Sequence, residues 1–232
     1  MNIYSISDTH NREWVNVFKA GVLPNSVLVH TGDATVNGTH KEWELFIYHL
    51  HEIKHLFTHI LFVPGNHDDH WNHWSAHIED EIDNFHVLKF NVIKINGITF
   101  SGIPYQCSIP MYYSKTETFR YTEDLKSMLQ VNQLPQVDVL LTHVPPRGIL
   151  DLEFFNNGKH PTTGNIKDTN IIPYHFGDVL YNTIIKPKKL WFVGHVHQYA
   201  GCTYTTNNLT YVNSALLDVN YVLTHNYMVT TI

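Results

Sequence analysis

Five short apolar runs, each ending abruptly in polar residues, recur along most of the chain. They are 3–6 before SDTH, 27–29 before HTGD, 60–63 before PGNHD, 137–141 before THVPP and 190–193 before GHVH. Each run is nearly continuous and partly β-branched, which is typical of strands buried on both faces. The polar clusters after the first three runs are about 25 and about 33 positions apart, a spacing that suits βαβ units.

Helical periodicity and turn signals fill the intervals between these runs. The pattern predicts helices over 13–20, 39–54, 69–82, 118–130 and 168–185, the last interrupted by Pro173. Asn96-Gly97 predicts a tight hairpin of 92–96 with 98–101, and the tail alternates enough to predict antiparallel strands over 199–205, 209–213 and 221–231. Because no repeat, low-complexity block or linker interrupts the chain, we expect one domain over 1–232, of class α/β.

All five polar clusters follow the carboxyl ends of predicted strands. In open α/β sheets, ligands bind in the crevice beyond those ends. If the five strands share a layer or stack in two, their ends bring seven candidate metal ligands into one pocket: Asp8, His10, Asp33, Asn66, His143, His195 and His197.

This donor set has a definite chemical character. Two carboxylates, one amide oxygen and four imidazoles, without a thiolate, suit Mn, Fe or Zn and do not suit copper(I) or iron–sulfur chemistry. Seven donors exceed the four that one zinc ion usually takes. Two divalent cations that share one bridging carboxylate account for the number, and such a pair activates a water and clamps a phosphate.

Each element of this site also has a purely structural interpretation. Asp8 and Asp33 could cap helices, Gly65-Asn66 could form only a turn, and His195 with His197 could be a hydrogen-bonded pair. Most of the 18 histidines, which outnumber the 15 lysines and arginines combined, are expected on the surface or on helix faces. Jointly the structural interpretations fail, because they give no reason for five such strand ends in one chain.

Composition narrows the class of protein. A hydrophobic content of 43% and a charged content of 16% are those of an ordinary globular protein, and a net charge of −6 argues against a globally basic nucleic-acid binder. Cys107 and Cys202 lie far apart without CxxC spacing, which favours a reducing compartment. No apolar run has the length of a membrane span, and the first residues do not resemble a presequence, so we expect a cytoplasmic protein without a membrane partner.

The clusters also form an ordered set of motifs: Asp8-Thr9-His10, Gly32-Asp33, Gly65-Asn66-His67-Asp68, His143 and Gly194-His195-Val196-His197. In this order they match D-x-H, G-D, G-N-H-[DE], a lone H and G-H-x-H, the pattern of the calcineurin-like metallophosphoesterase superfamily, which the chain resembles. Any one motif is weak evidence, whereas the ordered set from residue 8 to residue 197 is specific.

The resemblance implies a fold and a role for each site residue. The family fold consists of two mixed β-sheets packed as a sandwich with flanking helices, a four-layer arrangement. One cation would be bound by Asp8, His10 and His197 and the other by Asn66, His143 and His195, with Asp33 bridging both. His67 would be a catalytic residue that stabilises or protonates the leaving oxygen, and Asp68, also in the catalytic set, would hold His67 or shape the turn.

Within the superfamily, residues 141–151 together with Lys186-Pro187 look most like the small MPPED-type branch. Members of that branch are linked to the hydrolysis of phosphodiesters, including cyclic nucleotides. The residues after Gly32-Asp33 lack the Asp-Arg pair of protein phosphatases, so the resemblance does not favour phosphoprotein phosphatase activity.

The sequence therefore predicts a phosphoesterase dependent on two divalent metal ions, preferably a phosphodiesterase for a small nucleotide or cyclic nucleotide, with a metal-bridging hydroxide as nucleophile. Mn is the preferred metal, with Fe, Zn, Ni and Co as alternatives. A phosphomonoesterase or nuclease using the same metals is the second hypothesis, although the low basic content disfavours long nucleic acids. A non-catalytic scaffold is the third. No other cofactor is expected, and a homodimer is compatible with the sequence.

Overall fold

The computed structural model describes residues 1–104, 134–156, 171–178, 180–184, 186–224 and 226–232. The helices within these ranges are α1 (His40–Ile53) and α2 (Trp71–Glu81), with 3-10 helices at Val15–Ala20, Lys54–Leu56, Leu180–Asn182 and His197–Tyr199. The strands are β1 (Asn2–Ile6), β2 (Ser26–His30), β3 (His59–Phe62), β4 (Phe85–Val87), β5 (Val92–Ile95), β6 (Ile98–Ile103), β7 (Val139–Thr142), β8 (Leu152–Asn156), β9 (Ile171–His175), β10 (Leu190–Val193), β11 (Thr203–Thr206), β12 (Leu209–Asn213) and β13 (Met228–Thr231).

Two mixed sheets form the centre of the fold. The first has the order β13-β1-β2-β3-β4, in which β1 to β4 are parallel and β13 is antiparallel to β1. The second has the order β11-β12-β10-β7-β6-β5, in which the inner four strands are parallel and both edge strands are antiparallel. A separate antiparallel pair joins β8 and β9. The predicted architecture of two mixed sheets is confirmed.

Alternating side chains divide the core into layers, because successive residues of a strand point to opposite faces. Val27, Leu61 and Phe192 belong to a cluster that both sheets contribute to, and it fills the space between them. Leu28 and Phe62 point the other way, onto a cluster that includes Trp43 of α1 and other residues of the two helices. The strands are therefore buried on both faces, as their continuous apolar runs predicted.

The register aligns the carboxyl ends of the central strands. Ile6 and Phe62 both lie opposite His30, so the loops after β1, β2 and β3 start side by side. A parallel bridge between Ser7 and Ala215, together with a hydrogen bond of 2.9 Å from Ser214 Oγ to Ser5 Oγ, joins the two sheets at this edge. Loops from both sheets consequently meet in one place.

Several predicted elements are confirmed and others need correction. Helices 39–54 and 69–82 and the hairpin at Asn96-Gly97 are present, whereas the predicted helix 13–20 is a 3-10 helix. The predicted helix 168–185 is wrong, because β9 and a 3-10 helix occupy its described part. Pro173 lies within β9, and an outer strand tolerates a residue without an N–H that a helix interior does not. The predicted helix 118–130 lies outside the described residues.

The tail forms shorter strands than predicted: β11 begins at Thr203 and β13 at Met228. Within the described ranges, no helix combines the length and the apolar character needed to cross a membrane.

Candidate metal centre

The structure brings the seven candidate ligands together at the edge where the two sheets meet. Donor atoms lie within 4.8 Å of one another in two groups that a metal ion could occupy, Asp8 with His10 and His197, and Asp33 with His143 and His195. The seventh candidate, Asn66, places its Oδ1 3.0 Å from Nε2 of His143. His67 is in the same place, because it forms a third such group with His10 and Asp33.

Asp33 lies between the two main groups. Its Oδ2 is 3.7 Å from Nε2 of His10 on one side and 3.3 Å from Nε2 of His143 on the other. Its Oδ1 accepts the backbone N–H of His67 at 2.9 Å. One carboxylate oxygen is thus anchored to the protein, and the other faces donors of both groups.

The ligand-bearing loops have unusual backbone conformations. Asp8, His10, Asp33 and His195 all have positive φ, at 53°, 41°, 54° and 67°. Such conformations cost non-glycine residues on the order of 1–3 kcal/mol each and persist only where the surroundings enforce them. At Asp8 and His10 the loop after β2 enforces them, since Asp8 N–H donates to Gly32 O at 2.9 Å and His10 N–H to Asp33 O at 3.0 Å.

Two glycines allow the loops to approach this closely. A Cβ on Gly65 would overlap the backbone and carboxylate of Asp33, and a Cβ on Gly194 would overlap Ser7 Oγ and Asp8 Oδ2. The space at Gly194 lets the His195 N–H reach both oxygens of Asp8, at 3.1 and 3.0 Å. Gly65 and Gly194 are therefore required because neighbouring atoms leave no room for a side chain, and not because a turn needs a positive φ.

Backbone carbonyls orient three of the imidazoles. The Nδ1–H of His10 donates to Thr35 O at 3.1 Å. The Nδ1–H of His143 donates to Thr31 O at 2.7 Å, and that of His197 donates to Asp218 O at 3.0 Å. A carbonyl can only accept, so the hydrogen is on Nδ1 in each ring. In the neutral rings Nε2 then carries the lone pair, which is the arrangement that metal-binding histidines show.

The candidate ligand atoms fit a bound cation because their lone pairs face one another with too few hydrogen atoms to form hydrogen bonds among them. Nε2 of His143, Oδ1 of Asn66 and Oδ2 of Asp33 all present lone pairs to one another unless a proton or a cation intervenes. Within the described part of the chain, the buried Nε2 atoms of His10 and His195 have no hydrogen-bond partner. Buried polar atoms without partners are costly, and a divalent cation would satisfy them.

The electrostatics of the metal-free residues lead to the same conclusion. Burial would lower the pKa of His143 and His197, but the charges and hydrogen bonds of Asp33 and Asp8 raise each pKa to about 9. Burial lowers the pKa of His195 to about 3, so that ring is neutral and free to bind metal. Without a metal, protons on His143 and His197 therefore supply the positive charge beside Asp33 and Asp8. A divalent cation bound by these residues would displace the protons.

His67 and Asp68 have different surroundings. Nδ1–H of His67 donates to Val36 O at 2.6 Å, which leaves its other nitrogen for the site. The Asp68 carboxylate instead accepts the N–H of Thr35 at 2.9 Å, the Thr35 hydroxyl at 3.0 Å and the N–H of Gly65 at 2.8 Å. The hydrogen bonds of the Asp68 carboxylate thus go to the turn at Gly65 and to Thr35, and that of the His67 Nδ1–H goes to Val36 O.

Sequence reasoning missed residues that support or border the site. His30 is buried at the end of β2, where its Nδ1 accepts Gly32 N–H at 3.1 Å and its Nε2 lies 3.2 Å from the Thr9 hydroxyl. The ring of Tyr221 contacts those of His10, edge-on, and His197, tilted, with centroid distances of 5.0 and 4.9 Å. The position of His30 beside the G-D motif was a usable signal, whereas no motif marks Tyr221.

The fold and the motifs agree with known proteins. The family model described as calcineurin-like phosphoesterase matches residues 1–199. The chain is 27% identical over 223 residues to the UPF0046 protein C25E10.12 of Caenorhabditis elegans, and the match covers 92% of this chain and 74% of that protein.

Two solved structures show the same fold. One is 19% identical, with a TM-score of 0.63, and the match covers 99% of this chain and 98% of the other chain. The other, TT1561 of Thermus thermophilus, has a TM-score of 0.59 and 14% identity and covers 91% of this chain and 88% of that one.

Proposed function

This chain belongs to the calcineurin-like phosphoesterase family, whose members hydrolyse phosphate esters with divalent metals, and we propose that it is a phosphodiesterase for a small nucleotide or cyclic nucleotide. We further propose that residues 1–232 act as one catalytic domain with Mn as the preferred metal. The cytoplasmic location stays a prediction from the cysteine usage.

The observation that carries the proposal is the position of Asp33 between two groups of donors. Asp8, His10 and His197 would hold one cation and Asn66, His143 and His195 the other, with Asp33 shared between them. Bound divalent cations would supply an acidified water as nucleophile and neutralise charge on the phosphate.

The protein residues would perform the remaining tasks. The carbonyls of Thr31, Thr35 and Asp218 hold three imidazoles in place, which spares the site any reorganisation during the reaction. His67, fixed by its bond to Val36 O, would donate a proton from Nε2 to the leaving oxygen. Asp68 would act as a positioning residue that keeps the turn of Gly65 against Thr35.

The preference for a diester rests on the resemblance of residues 141–151 to the MPPED-type branch. Phosphomonoester hydrolysis is the alternative that the same site supports, because neither group of candidate ligands discriminates between a monoester and a diester. The net charge of −6 favours a small substrate over long nucleic acids.

The test of the proposal compares two chromogenic esters. We expect Mn-loaded wild-type protein to hydrolyse bis(p-nitrophenyl) phosphate with a higher kcat/KM than p-nitrophenyl phosphate. Asn66→Ala is expected to lower the diester rate by about 10²-fold, since it removes a ligand of one cation. A higher rate on the monoester would show a phosphomonoesterase, and turnover of neither ester, nor of any nucleotide diester, would refute the proposal.

The role of His67 predicts a dependence on the leaving group. An alkoxide needs a proton to depart, whereas p-nitrophenolate hardly does. We therefore expect His67→Ala to lower kcat on 3′,5′-cyclic AMP by about 10²-fold and on bis(p-nitrophenyl) phosphate by less than about 10-fold. Steady-state kinetics of both substrates at several pH values would measure the difference.

The matched control is His73→Ala, which removes an exposed histidine of α2 and should change neither rate. Equal losses on the two substrates would show that His67 supports the metal ligands and does not protonate the leaving oxygen.

A further inference from the structure

The turn at residues 217–223 places the Tyr221 ring against two candidate ligands of the metal centre. The ring lies 5.0 Å from that of His10 and 4.9 Å from that of His197, both in the group with Asp8. Tyr221 nevertheless remains 45% exposed, so a large part of its surface is open to a bound molecule. Residue 221 lies beyond the five motifs and beyond the region matched by the family model.

The turn holds Tyr221 in a strained conformation. The residue has φ of 58°, which is uncommon for an aromatic side chain and which asparagine or glycine would adopt at lower cost. Asp218 enforces it, because its Oδ1 accepts the N–H groups of Asn220 at 2.9 Å and Val222 at 3.0 Å, and its own N–H donates to Val222 O at 2.9 Å.

The same turn is tied directly to the site. Asp218 O accepts Nδ1–H of His197, so one residue both shapes the turn and orients a candidate ligand. A bridge between Leu217 and Leu223 closes the turn, and Leu217 itself is fully buried. The position of the Tyr221 ring relative to the metal centre is therefore well defined.

We propose that Tyr221 is a specificity-determining residue that stacks on the planar organic group of a phosphate ester, of the nucleobase class. This proposal rests on the proposed function, which brings the phosphate to the cations beside His10 and His197. The negative face of an aromatic ring repels the phosphate itself, so the ring would contact the organic part. Stacking on an aromatic ring tolerates any base and stabilises a bound planar group more than a flexible chain.

A purely structural role explains Tyr221 less well. The fold leaves 45% of Tyr221 exposed, and strained backbone conformations cluster at functional sites. Asparagine in the same turn would satisfy the backbone without the ring.

Binding measurements test this inference separately from turnover. We would titrate Mn-loaded protein with 5′-AMP and with methyl phosphate by calorimetry and take the ratio of the two Kd values. Wild type should prefer 5′-AMP, and Tyr221→Asn, which suits the positive φ, should reduce that preference about 10-fold. Tyr221→Phe should retain it, because the ring stays.

Tyr204→Ala is the matched control, since Tyr204 is 46% exposed on β11. It should leave the ratio unchanged. An unchanged ratio in Tyr221→Asn, or a wild type that binds both ligands equally, would overturn the inference. So would a loss of bound Mn in Tyr221→Asn, since that would show a role in the metal centre alone. A wild type that prefers 5′-AMP through Tyr221 and hydrolyses no diester would refute the proposed function and leave the stacking role standing.

Discussion

Asp33→Asn is expected to reduce hydrolysis of bis(p-nitrophenyl) phosphate on the order of 10³-fold, the loss that follows when several kcal/mol of charge stabilisation are removed. The substitution keeps an oxygen that can accept the His67 N–H, as Oδ1 does at 2.9 Å. It replaces Oδ2, which faces His10 and His143, by an NH₂ group without a lone pair for a cation. The turn should therefore survive while the shared ligand is lost.

Two measurements check this result, kcat/KM and the metal content of the purified protein. We expect about two Mn ions per chain in the wild type and about one or fewer in Asp33→Asn. Asp80→Asn, an exposed carboxylate of α2, should change neither quantity. If Asp33→Asn retained two ions and the wild-type rate, Asp33 would not be a shared ligand.

Gly194→Ala is expected to destabilise the protein by about 3 kcal/mol and to abolish metal binding. The added Cβ would overlap Ser7 Oγ and Asp8 Oδ2, and both residues are fully buried. Ser7 cannot move freely, because its hydroxyl donates to Gly32 O at 3.3 Å, and Asp8 is held by the N–H of His195. The strain would consequently reach the loops after β1, β2 and β10 together.

Calorimetry should record a decrease in Tm of about 10 °C for a chain of this size. Gly97→Ala is the control, since Gly97 has φ of 87° in the β5–β6 turn with no atom within 4 Å of a built Cβ. It should cost only about 1 kcal/mol of backbone strain and leave metal binding intact. A Gly194→Ala protein that melts and binds Mn like the wild type would show that the close approach of the loops is not required.

Local patterns were sufficient to predict much of the fold. The continuous apolar runs predicted strands buried on both faces, and Val27 and Leu28 do point to opposite sides of the first sheet. The regular spacing in 39–54 and 69–82 predicted α1 and α2 because an apolar stripe must face the core. Prediction failed at 168–185, where pairing of β9 with β8 outweighs a weak helical signal.

The sequence alone determined which residues could form the site. Seven donors at the ends of five apolar runs must meet if those strands are neighbours, since parallel strands end at one edge. Their chemistry, with oxygen and imidazole donors and no thiolate, is independent of the fold. For the same reason the candidate cations and the class of reaction could be inferred before any coordinates.

Only the tertiary structure decided how the donors are oriented and what borders them. The Thr31 carbonyl that orients His143 is 112 positions away, and the His195 N–H that holds Asp8 is 187 positions away. Asp218 and Tyr221 reach the site from a turn that no motif marks. Contacts of this kind depend on how two sheets pack at their shared edge, and the packing is set by the whole core, so no local pattern of residues encodes them.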